Sequence, residues 1–159
     1  MGKSRNIHGG GVNYLCLPLD PEFPTNVQAG SQTGSYIYGV EYENWRSTRF
    51  FNDVKDQDAP CAVCEAQGRT QVLMIPAKKT CPTGWTLEYE GLLAAEHYTH
   101  KGSDFVCVAS GMEAANSGST GNHNDGLLFV VEAQCGSLSC SGAGGYSSGY
   151  ELTCAVCTK

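Results

Sequence analysis

The tetrapeptide CAVC stands at residues 61–64 and again at 154–157, and this repetition decides how the rest of the chain is read. The two copies lie 93 residues apart. Working outward, Cys16 and Cys107 are 91 apart, each inside a short apolar run that breaks into a polar loop: GVNYLCLPLDPE at 11–22 and SDFVCVASGMEA at 103–114. Val40-Glu41 recurs as Val131-Glu132, again 91 apart. Three anchors in one order describe two related halves, about 8–67 and 72–159, the second opening with a leader, QVLMIPAKKTCPTGWTLEYEGLLAAE, that the first lacks. One unit written twice can pack as two similar half-sheets about a pseudo-twofold axis.

Composition agrees with a β fold. Of the 159 residues 41% are hydrophobic and only 16% charged, with 20 glycines, which suits short strands and many turns better than long solvated helices. Strand-like runs fall near 12–17, 35–43, 61–66, 71–76, 85–90, 104–109, 127–133 and 151–157. In SYIYGVEYE, Tyr36, Tyr38, Val40 and Tyr42 alternate onto one side. YEGLLAAEHY (89–98) is the sole helix candidate, weakened by Gly91. The expected fold class is a disulfide-rich, all-β single domain over 1–159, built from the two halves, with few or no helices.

A net charge of −6 without basic clusters argues against nucleic acid and anionic membrane surfaces. No apolar run approaches the roughly 20 residues that span a bilayer, so membrane insertion is not expected. The start, MGKSRNIHGGG, has no apolar signal core, and Asn6 departs from the myristoylation pattern. It reads as a mature form with its own start Met or as a cytosolic protein. Nine cysteines favour the former, a secreted protein in an oxidising compartment.

Nine is odd, so at least one thiol is left over. The six cysteines of the second half can close alone, Cys107 with Cys154, Cys81 with Cys157 and Cys135 with Cys140 as a tight local loop, and by analogy Cys16 pairs with Cys61. Cys64 then lacks a partner, because its counterpart would sit in the missing leader; an intermolecular Cys64–Cys64 bridge would make a covalent dimer. Sequence alone leaves connectivity open. The two CxxC pairs could instead hold zinc. Their Ala-Val interiors favour extended strands over a metal knuckle, and their separation is unlike a zinc ribbon.

Enzymatic chemistry has little to stand on. His8, His97, His100, His123 and many serines are present, but no GxSxG or cysteine-protease context is. Glu41 and Glu43 share a strand face, where surface or turn bonding is the ordinary role. The loop GMEAANSGSTGNHNDG, 111–126, is richer. It gathers Glu113, Asn116, Asn122, Asn124 and Asp125 on a glycine-rich backbone, the hard oxygen donors that calcium prefers. It does not follow the EF-hand spacing, and the plainer reading is a solvated loop with Asn-Asp-Gly turn chemistry. Glu113, Asn122, Asn124 and Asp125 are the candidate Ca2+ ligands; His123, with Glu113 and Asp125, is the candidate sugar contact. Trp45, Trp85, Tyr89, Tyr98, Tyr146 and Tyr150 could stack on a sugar face, though aromatics of small β domains are more often core.

Taken together, GGGVNYLCLP with DPE, YGVEYE, PCAVC, LMIPAKKTCPTGWTLEYEG, HYTHKG, FVCV, VEAQCGSLSC and ELTCAVCTK resemble the non-collagenous domain of the short-chain, spongin-type collagens over nearly the whole chain. The chain has no Gly-X-Y tract and so is not itself a collagen. As a free-standing protein it is similar to the calcium-dependent, galactose-specific lectins of sea anemones. That resemblance implies a secreted, disulfide-linked homodimer that binds galactose-terminated glycans through a bound calcium, and no enzyme. The alternative it implies is a structural extracellular-matrix module, related to the collagen ends, without a sugar site.

Overall fold

The computed structural model describes residues 10–44, 49–115, 121–140 and 145–159. His8, Trp45 and Asn116 lie outside the described residues. Among the described residues the strands are β1 (Val40–Tyr42), β2 (Val72–Pro76), β3 (Thr86–Ala95), β4 (Val106–Ala109), β5 (Gly126–Val130) and β6 (Thr153–Thr158), with one 3-10 turn at Asn52–Val54. The protein is a disulfide-rich, all-β chain. No helix among the described residues is long and apolar enough to cross a membrane.

β3 is the hub. β4 runs antiparallel along one edge, with Gly91 opposite Ala109 and Ala94 opposite Val106. Along the other edge lie β6, from Thr86–Thr158 to Leu92–Thr153, and then β5, with Ala94 opposite Val130. β2 adds outside β6, where Pro76 costs nothing because it stands on a sheet edge. β1 joins β5 in parallel, Val40 opposite Gly126. Gly91 is required here: a Cβ at that position would lie 1.8 Å from the carbonyl oxygen of Val108.

The helix candidate at 89–98 is therefore wrong. Its first residues complete β3, because hydrogen-bonding partners on both edges outweigh helix propensity. The runs at 12–17 and 61–66 are not strands, and Tyr36 and Ile37 are exposed rather than part of a buried alternating face. CAVC explains the difference. At 154–157 it sits in β6 between β2 and β3, with Cys154, Ala155 and Cys157 fully buried. At 61–64 no strand flanks it, and Val63 is 87% exposed.

All nine cysteines are among the described residues. The disulfides are Cys16–Cys61, Cys81–Cys157, Cys107–Cys154 and Cys135–Cys140, and Cys64 is free and exposed. This is the pairing expected from closing the second half by itself and matching Cys16–Cys61 to it. A local backbone pattern also recurs. Ala59 N donates to Val40 O, Tyr42 N to Gln57 O and Asp56 N to Tyr42 O; Leu152 N donates to Val131 O, Ala133 N to Tyr150 O and Gly149 N to Ala133 O. Asp56 and Gly149, which match under the 93-residue offset, both have left-handed φ, 59° and 77°. The likeness stops at the sheet, since β2 and β3 have no counterpart strands in the first half.

Two clusters make the core. Val40, Tyr42, Phe51 and Val54 of the first half pack on Ala94, Val108 and Leu128 of the second. Leu93 with the Cys107–Cys154 disulfide forms the other, flanked by Met74, Val131, Leu152 and Val156. The halves also meet where Asp104 N donates to Val12 O and where the Tyr14 hydroxyl lies 2.8 Å from Ser103 Oγ. Burial there pushes the Tyr14 hydroxyl up to about 12.

Candidate functional site

The loop that follows β4 is fastened to the first half. Ala115 N donates to Asp58 O at 3.0 Å before the described chain pauses, and Gly126 N donates to Gly39 O at 3.1 Å where β5 begins. Between these, a carboxylate from β1 holds the turn. Glu41 is only 2% exposed; its Oε1 accepts from His123 N at 3.0 Å and its Oε2 from Asn124 N at 3.3 Å. A buried carboxylate needs donors, and two backbone amides supply them. Asn124 takes a left-handed φ of 55°, which asparagine tolerates, and so turns the chain into β5.

Asn122 Nδ2 donates to Asp56 Oδ1 at 3.1 Å, and Asn124 Nδ2 donates to Asn122 Oδ1. Asp56 Oδ2 and Glu43 Oε1 each lie 3.5 Å from Lys55 Nζ. The charge of Glu43, then that of Asp56, raises the pKa of Lys55, while burial raises that of Glu43. Buried Glu43 and half-buried Asp56 thus share Lys55 as their cation beside the loop.

Of the candidate residues, Asn122, His123 and Asn124 are brought together by this anchoring, and Asp125 follows directly. Asn122 and Asn124 serve as turn residues. His123 is exposed, as is Glu113. No hydrogen bond or ion pair to the carboxylates of Glu113 or Asp125 is present among the described residues. Nor do three His, Cys, Asp or Glu side chains converge there as a metal-holding group. The donor chemistry, carboxylate plus carboxamide oxygen on an exposed turn, fits a hard cation.

Sequence reasoning placed Glu41 at the surface or in turn bonding; it bonds a turn, but from a buried position, and with Asp56 it was missed as part of the site. Two acids flanking Tyr42 in an otherwise apolar strand were the available signal. The fold and loop together define a disulfide-stapled β protein that displays an oxygen-rich turn held by a buried carboxylate. No family model matches the chain, and no solved structure matches it.

Proposed function

We propose that the protein is a secreted, calcium-dependent carbohydrate-binding protein that takes terminal galactose. The observation that carries this is the anchored turn: Glu41 and Asp56 fix Asn122–Asn124, while the carboxylates of Asp125 and Glu113 have no hydrogen-bond or ion-pair partner among the described residues. Asn122, Asn124, Asp125 and Glu113 would hold the ion. Calcium bound there would supply coordination sites for vicinal sugar hydroxyls, with His123 beside them. A fixed turn is a better binder than a mobile one, since less ordering accompanies capture of the ligand.

The exposed Cys64 thiol supports a Cys64–Cys64 homodimer, whose paired sites gain avidity on multivalent glycans. Four disulfides are compatible with an extracellular setting. A second reading, a matrix-assembly module, is favoured by one observation: Leu17, Leu19, Phe23, Val27 and Ile37 are all more than half exposed, an apolar surface that suits a protein partner.

Calorimetric titration of galactose in calcium and then in excess EDTA separates the two. Heat that EDTA abolishes supports the lectin. No heat under either condition overturns it and leaves the matrix module.

A further inference from the structure

A second site lies away from the anchored turn, in a cleft of about 350 Å³ where the first half, at residues 49–54, meets β3 and Ser110 of the second. Its size is within the range of small-molecule pockets, roughly 300–1,000 Å³, which favour junctions between units. Leu92 and Met112 give it an apolar wall, and its polar lining includes two cations, Arg49 and Lys79, two carboxylates, Asp53 and Glu90, and the Ser110 hydroxyl.

Three features there are not explained by folding alone. Glu90 Oε1 accepts from Ser110 Oγ at 2.7 Å, but Oε2 is out of contact with solvent and has no hydrogen bond. Lys79 Nζ stands 3.9 Å from that oxygen, an ionic distance beyond hydrogen bonding. Buried carboxylate oxygens without a donor are rare. Next, Arg49 is exposed at the cleft and pairs with no carboxylate among the described residues, leaving a guanidinium fork open to an anion. Finally, Phe51 lines the same cleft with φ at 62°, a left-handed conformation uncommon for a bulky residue, held by its ring contact with Tyr42 at 5.3 Å. Strained backbone of this kind gathers at binding sites.

We propose that this cleft binds an acidic sugar unit of the uronate type: the exposed Lys79 side chain, held only at 3.9 Å, swings aside so that a ring hydroxyl donates to Glu90 Oε2, the sugar carboxylate meets Arg49, and the C–H face lies against Leu92 and Met112. The hydroxyl completes the unsatisfied oxygen and the carboxylate completes the unpaired guanidinium. A neutral sugar satisfies only the first. The site needs no metal and is independent of the calcium reading.

The test is amide NMR of the full chain in EDTA, titrated with sodium glucuronate and, separately, with glucose. Glucuronate is expected to shift the amides of Asn52, Glu90 and Ser110, while glucose at equal concentration leaves them in place. Arg49→Gln, an exposed change that spares the core, should weaken glucuronate about tenfold, or ~1.4 kcal/mol. Absence of shifts, equal shifts with glucose, or undiminished affinity in Arg49→Gln would each overturn the proposal.

Discussion

Glu41→Ala tests whether the anchored turn depends on one carboxylate. The side chain is buried, and it accepts the amides of His123 and Asn124. Hydrogen bonds to a charged acceptor contribute about 1.5–3 kcal/mol each, and an orphaned buried donor costs about 1–3 kcal/mol. The two bonds do not simply add, because removing the carboxylate also removes the cost of burying it. A net loss of ~3 kcal/mol follows. For a chain of this size each kcal/mol moves Tm by roughly 2–4 °C, so the midpoint should fall by about 6–12 °C. Glu41→Gln keeps one acceptor oxygen but turns an amide NH2 toward a backbone N–H, and should fall about half as far. Thermal melts by near-ultraviolet circular dichroism, with hydrogen exchange at the His123 and Asn124 amides, read both effects. If Glu41→Ala melts within about 2 °C of the parent and those amides stay equally protected, Glu41 does not hold the turn.

Asp125→Ala should abolish EDTA-sensitive galactose binding with a Tm change of about 2 °C or less, since the carboxylate has no protein partner among the described residues; normal binding by calorimetry would misplace the ion. On the proposed Cys64–Cys64 bridge, the parent should run as a covalent dimer on non-reducing gels and Cys64→Ser as a monomer, with the four internal disulfides intact in peptide maps. Gly91→Ala drives a Cβ into the Val108 backbone and should cost about 3 kcal/mol or more, seen as a lowered urea midpoint. Burial, then the neighbouring His100, lowers the pKa of His97. The unfolded chain takes up that proton near its ordinary value of 6.5 while the folded chain resists, so this contribution is full above 6.5 and is lost as pH falls below it. His97→Gln should flatten that part of the Tm profile; an unchanged slope between about pH 7 and 5 would exclude it.

Cysteine spacing proved the most legible feature of the sequence, because a pairing argued from order along the chain does not depend on what each segment packs against. Strand identity did not have that independence. CAVC is one sequence with two outcomes, a buried central strand at 154–157 and an exposed irregular segment at 61–64, and what differs is the presence of β2 and β3 alongside. The stretch 89–95 has good helix formers, yet cross-strand bonds on both edges make it β3. For the candidate site, the turn was visible from its asparagines and glycines. Its support was not: Glu41 stands 82 residues before His123, and no local pattern links them.

None of the four disulfides crosses from the first half to the second: Cys16–Cys61 lies within one, the other three within the other. Tension applied between the halves therefore reaches no cross-link among these four, but the main chain near Gly68 and a non-covalent seam that includes β1 on β5, the Glu41 turn, the Val12–Asp104 and Tyr14–Ser103 contacts and the shared apolar cluster. That seam is where the molecule yields first under load. A protease cut at the exposed turn of Gly68 would leave two separately stapled pieces that part without any reductant, each keeping its own loops closed.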